Sequence, residues 1–418
     1  MCCAGPVQPD PQPRQASDDT VPRATDPFHP FWTSETMMHK VAKTLLFSLI
    51  TAAFGAAGAA QAATPIKIGV QAPITGQYAN EGQGIADAVK LLVKQQNAKG
   101  GLLGHPLKVQ VCDDQGEAAP AAICARQLIN DGVLAVIGSY TSGAALAAEP
   151  LYARANVIQT SDGTSDELTA HGFKTFFRNA PPNSAEALFT AGYFKARGLK
   201  RIAVVTDHSS FATGLADAVV ADAKKDGVTV LDKAYITAGS QNYTPVLTKL
   251  AALKPQAVYF SGYYTDGGLI KAQMAQLGMK AEFIGGDANQ NVAFAKIAGN
   301  AAAGAVIINV PAPQDLPYPV AKQFLQQFKQ AYGHMPPSIF TLTNADGLRA
   351  VLATAEKIHS VAPAKLIPAL HQLKDFEGLT GTFSWNAAGE RTGSPYVAFE
   401  VMADGNYKIT YPAAAAGH

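Results

Sequence analysis

The stretch IKIGVQAPITGQYANEGQGIADAVKLLVKQQNAKGGLLGHPLKVQVCDD, residues 66–114, decides the fold. Ile66–Ala72 is a short, nearly continuous apolar run and reads as a strand. Gln83–Ala98 then carries Ile85, Ala88, Val89, Leu92 and Val93 at helical spacing. The glycine-rich KGGLLGHP ends that helix, and Leu107–Val111 starts a second apolar run. A helix between two apolar strands is the signature of parallel strands joined by a crossover.

The alternation continues. Ala118–Asn130 reads as a helix, Val133–Gly138 as a strand, Ala144–Ala153 as a helix and Val157–Thr160 as a strand. The pattern then restarts, with strands at 200–207, 228–236, 257–264, 281–287 and 304–310. Helical patterns at 184–197, 212–226, 243–253 and 267–277 separate them. The proline-rich PAPQDLPYP (311–319) interrupts regular structure. Helices at 320–332, 343–358 and 363–373 and terminal strands at 395–402 and 406–411 follow. The fold class is α/β, two lobes with parallel-type sheets covered on both faces. Such lobes hold ligands at the carboxyl ends of their strands.

The 418 residues carry 33 Lys and Arg against 32 Asp and Glu, a formal net charge of +1. With 48% hydrophobic and 16% charged residues, the chain can build large cores. No basic field exists to recruit nucleic acid or an acidic membrane. Residues 1–36 are rich in Pro and Asp and read as an upstream extension outside the mature protein. Residues 37–62 read as a secretory signal. Lys40 and Lys43 precede an apolar core from Thr44 to Ala57, and Ala60-Gln61-Ala62 is a cleavage signal. The natural start is expected at Met37 or Met38 and the cut near Ala62. Export places Cys112 and Cys124 in an oxidising compartment and favours a disulfide, two buried free thiols being the alternative. Their spacing does not suggest a metal site.

The candidate functional residues lie in turns after strands. GSYTSG (138–143) offers Tyr140 and Ser142, and TSDGTSDEL (160–168) offers Asp162 and Thr164. TDHSSFATG (206–214) offers Phe211, SGYYTDGG (261–268) offers Tyr263, and GGDANQN (285–291) offers Asp287. Ser142 equally reads as a helix N-cap, and Thr164 with Glu167 as a capping box. Yet a helix N-terminus is also an anion site, and two at neighbouring strand ends clamp one carboxylate. Asp287 reads as a loop carboxylate or as the counter-ion of a ligand ammonium. Of Tyr263 and Tyr264, alternation sends one to the cleft. GQGIAD (82–87) begins like a dinucleotide fingerprint but lacks its third glycine. No nucleophile elbow, HExxH, P-loop or CxxC motif occurs, so no catalytic residue and no cofactor is expected.

The order of these motifs resembles the leucine/isoleucine/valine-binding protein family, from about Ile66 to Tyr411. The segments that carry it are residues 66–114, VIGSYTSGAA, TSDGTSDEL, RIAVVTD, TAGSQNYTPVLTKL, AVYFSGYYTDGGLIKAQMAQLGM and GGDANQN. The resemblance implies a type I periplasmic binding protein with a three-crossover hinge. Lobe I is expected at 66–180 and 313–394, and lobe II at 182–309 and 397–411. It also implies a monomeric, non-enzymatic component of an ABC importer. That protein binds an amino acid in the cleft and delivers it to permease and ATPase subunits. Same-fold binders of amides, urea or aromatic acids, feeding uptake or a sensor, are the alternative, with an exported enzyme behind them.

By matching positions, Ser142 and Thr164 hold the ligand carboxylate, and the Asp162 carbonyl and Asp287 hold its ammonium. Tyr263 and Phe211 lie against it. Tyr140 joins them from the Ser142 turn. Glu81 stands where relatives that prefer aliphatic side chains place an aromatic. A carboxylate there is costly beside an aliphatic tail unless it is solvated or paired. The head group is therefore better supported than an aliphatic tail, and a polar, amide or cationic side chain is open. The family's disulfide joins the second- and third-strand turns, where this chain has Thr141.

Overall fold

The computed structural model describes residues 63–393 and 395–412. The expected extension and export signal lie outside these residues. Strands β1 (Ile66–Ala72), β2 (Leu107–Asp113), β3 (Val133–Ile137), β4 (Ile158–Ser161) and β5 (Phe176–Arg178) form one parallel sheet, in the order β2-β1-β3-β4-β5. A second sheet starts with β6 (Arg201–Thr206), β7 (Thr229–Tyr235), β8 (Ala257–Ser261), β9 (Glu282–Gly285) and β10 (Val306–Asn309), again all parallel. A hairpin of β11 (Phe376–Gly378) and β12 (Gly381–Trp385) pairs with β13 (Arg391–Thr392). Strands β14 (Val397–Val401) and β15 (Tyr407–Tyr411) then return antiparallel to the edge of the second sheet.

The chain passes between the two large sheets three times: after β5, after β10, and before β14. Central strands are buried on both faces; every residue of β8 is buried, as are five of the six in β6. This is why they read as apolar runs rather than alternating ones.

Helices cover the sheets: α1 (Ala79–Ala98), α2 (Ala118–Asn130), α3 (Ser142–Ala155), α4 (Glu167–Ala170), α5 (Asn183–Ala196) and α6 (Ser210–Lys225), then α7 (Thr244–Ala252), α8 (Tyr264–Gln276), α9 (Val292–Ala298), α10 (Pro319–Tyr332), α11 (Phe340–Lys357) and α12 (Pro363–Leu370). The glycines of GQGIAD serve packing. A Cβ on Gly82 would stand 2.2 Å from the Pro73 carbonyl oxygen, and one on Gly84 2.6 Å from Thr341 Oγ1 on α11. They let α1 press against the turn after β1 and against α11.

Cys112 on β2 and Cys124 on α2 form a disulfide. Between the second- and third-strand turns, Thr141 Oγ1 donates to the Gly116 carbonyl at 2.8 Å, so a hydrogen bond ties these two turns here. Among the described residues, no helix is long and apolar enough to cross a membrane.

Candidate functional site

The turns after β3, β4, β6, β8 and β9 converge with the start of α11 on a narrow cavity. Tyr140, Ser142, Asp162 and Thr164 come from the first sheet, and Phe211, Tyr263, Asp287 and Ala288 from the second. Phe340 closes it from α11. Seven of the eight ligand-binding candidates thus line one cavity. Glu81 lies apart from it, and Ala288 and Phe340 are additions that local sequence did not signal.

The β3 turn works differently from the capping expectation. Thr141, in extended backbone, is the N-cap of α3, and its hydroxyl accepts from Ala144 N at 3.3 Å. Ser142 is therefore the first helical residue, with its side chain released from capping. Ser142 Oγ accepts from Ser165 N at 3.1 Å, which joins the two turns and leaves the hydroxyl proton to donate. The positive end of a 14-residue helix stands at the cavity wall. Gly138, at φ 112°, makes the turn possible, since a Cβ there would lie 1.9 Å from the Gln71 carbonyl oxygen.

The β4 turn also lacks its expected capping box. α4 starts at Glu167 after Asp166, without a side-chain cap. Thr164 is held by its neighbours. The buried Arg178 guanidinium donates to the carbonyls of Gly163 and Ser165, and Glu390 neutralises it at 2.8 Å. The Thr164 carbonyl accepts from Asn183 N at 2.8 Å, at the first passage between the sheets. Arg178 gave no local sequence signal, because its partners come from a distant turn and from β13's approach.

In the second sheet, β8 ends at Ser261, so Tyr263 and Tyr264 belong to a helix start and not to a strand end. Tyr263 faces the cavity, and its ring centroid lies 5.1 Å from Phe211 and 5.8 Å from Tyr140. Tyr264 instead donates its hydroxyl to the Gln77 carbonyl at 3.4 Å. Asp287 is 2% exposed, and burial pushes its carboxyl up to about 7, against the pull of Ala288 N, which donates to Oδ1 at 2.6 Å. Glu186 lies behind it, accepting from Asp287 N at 3.1 Å. Burial, then the charge of Asp287, holds Glu186 protonated well above the carboxylate range, and that proton supports an ionised Asp287.

Glu81 resolves its desolvation cost by pairing. Its carboxylate, fully buried, accepts from Asn291 Nδ2 at 2.5 Å and Ser338 Oγ at 2.7 Å. Burial still raises it to about 7. Asn291 follows β9, so this contact crosses between the sheets. Asn80 Nδ2 adds a bond to Asn291 Oδ1 at 2.8 Å, and Gln77 Nε2 reaches Thr265 Oγ1 at 2.6 Å and Asp266 Oδ2 at 3.2 Å. Together they form a polar seam beside the cavity.

A convergence of two α/β lobes on one cavity at their strand ends, with three chain passages between them, is the architecture of a binding cleft. Residues 65–406 match the periplasmic binding protein family model. The chain belongs to the periplasmic binding protein family. A Leu/Ile/Val-binding protein homologue of Brucella melitensis is 30% identical over 361 residues, 86% of this chain and 96% of the relative. A leucine-, isoleucine-, valine-, threonine- and alanine-binding protein of Pseudomonas aeruginosa is 29% identical, covering 83% and 92%. Among solved structures, a branched-chain amino acid transporter substrate-binding protein of Streptococcus pneumoniae in complex with isoleucine is 26% identical. It covers 84% of this chain and 100% of its own, with a TM-score of 0.76.

Proposed function

We propose that this protein is the exported substrate-binding component of an ABC importer for an amino acid, and that it binds its ligand without turning it over. The observation that carries the reading is the cavity's two-sided chemistry. Hydroxyls of Ser142 and Thr164 with the α3 N-terminus lie on one side, and the buried carboxyl of Asp287 on the other. The first set suits a carboxylate and the second an ammonium. The family's relatives, named for leucine, isoleucine and valine, support the same class.

Ligand held by the first lobe would be covered by Tyr263 and Asp287 of the second, and the polar seam would stabilise the closed form. The ligand then shifts an open–closed equilibrium because it binds the closed form better. Export through residues 37–62, a periplasmic location and permease and ATPase partners complete the proposal. The aromatic walls Tyr140, Phe211, Tyr263 and Phe340 also suit an aromatic acid. Such a ligand lacks an ammonium and would leave Asp287 unpaired, which disfavours it. A thermal-shift screen of amino acids, amides and aromatic acids tests the reading, because bound ligand stabilises by mass action. An amino acid that raises the melting temperature and is recovered unchanged supports it. A response to aromatic acids or amides alone, or a consumed ligand, contradicts it.

A further inference from the structure

The cavity wall carries two polar groups without a hydrogen-bond partner among the described residues. Asp162 is 2% exposed; its Oδ2 accepts from Asn344 Nδ2, while its Oδ1 has no hydrogen-bond partner among the described residues. The Tyr140 hydroxyl, 4% exposed, is likewise unpartnered. Both residues line the cavity. Among the described residues, no Lys or Arg lines it. Arg391 eases the charge of Asp162 from outside the wall, but donates to the Asn179 carbonyl at 3.0 Å and Thr380 Oγ1 at 2.7 Å. A side-chain hydrogen bond from Thr343 favours the ionised form of Asp162, while Glu81 and Asp287 add negative charge around it.

We propose that the ligand is an amino acid whose side chain ends in a nitrogen hydrogen-bond donor, selected by Asp162 with help from the Tyr140 hydroxyl. The inference rests on the amino-acid reading above and deepens it. An aliphatic side chain would leave both wall groups dry and unpaired, and a buried unpaired polar group is costly. An ammonium or guanidinium would ionise Asp162 and supply its counter-ion. An amide would donate to Oδ1 and could accept from the tyrosine hydroxyl. Burial holds the Asp162 carboxyl well above its ordinary range in the ligand-free protein, so a cationic ligand would also expel a proton.

The test is calorimetric titration of lysine against 2-aminoheptanoic acid and of glutamine against methionine, pairs that match in length and differ in the terminal donor. In the wild-type protein, at least one donor-bearing member should bind about tenfold tighter than its apolar partner. Asp162→Ala should bring that ratio to within about threefold of unity. Asp162→Asn, which preserves shape, decides the point if the alanine variant does not fold, and it should remove the lysine preference. A lysine preference identifies the cationic class and a glutamine preference the amide class. Equal or tighter binding of both apolar partners overturns the inference, as does a ratio that survives both substitutions. In either case the amino-acid reading stands; binding of no amino acid at all overturns both.

Discussion

Asn291→Ser cuts the seam between the lobes at a single point. Serine can still cap α9, whose Ala293 N donates to Asn291 Oδ1 at 2.7 Å, so the second lobe keeps its local structure. It cannot span the gap to Glu81. The lost bond is a 2.5 Å contact to a buried carboxylate, and its partner across the seam, Asn80, loses a 2.8 Å bond as well. A hydrogen bond to a charged group contributes about 2 kcal/mol, so ligand affinity should fall roughly thirtyfold. The loss should appear chiefly as faster release, because the seam exists only once the lobes have met. Stopped-flow release of the best-binding amino acid, beside an unchanged circular dichroism spectrum, reads this directly. A folded variant with the wild-type release rate would refute the role of the Glu81–Asn291 contact in closure.

Three further outcomes are expected. Asp287→Ala should weaken amino-acid binding by about 2–5 kcal/mol in calorimetry, the cost of removing one partner of a buried charge pair. The ligand-free protein should melt at lower temperature as pH rises from 5 to 8. Burial raises Glu81, Asp287 and Glu149 to about 7, so the folded state binds more protons than the unfolded one. The stabilisation present below their ordinary values is lost through pH 7; a melting temperature that rises over this range contradicts the assignment. Replacing Cys112 and Cys124 by serine should lower the unfolding free energy by about 3 kcal/mol in denaturant titration, given the short loop they close.

Much of this architecture was legible because parallel strands buried on both faces write themselves as apolar runs, and crossover helices as 3.6-residue patterns. The short β5, α4 and the β11–β13 hairpin escaped notice, since two to five residues carry no period. The post-strand turns were legible as a class, and the structure gathers Tyr140, Ser142, Asp162, Thr164, Phe211, Tyr263 and Asp287 around one cavity. Their division of labour was not. Which hydroxyl caps α3 depends on one residue's backbone angles, and these favour Thr141 over Ser142. Glu81 could be seen to need a partner, but Asn291 and Ser338 stand 210 and 257 residues away. Phe340 reaches the wall from the start of α11, and nothing in its own stretch marks it.

The central claim is that Ser142 and Thr164 hold a carboxylate while Asp287 holds an ammonium on the same ligand. Calorimetric titration of the best-binding amino acid, its methyl ester and its N-acetyl derivative tests both halves at once. The free amino acid should bind one to one, and each blocked form should lose at least about tenfold in affinity, since each leaves one buried polar set unpaired. A blocked form that binds as tightly as the free amino acid would contradict the account.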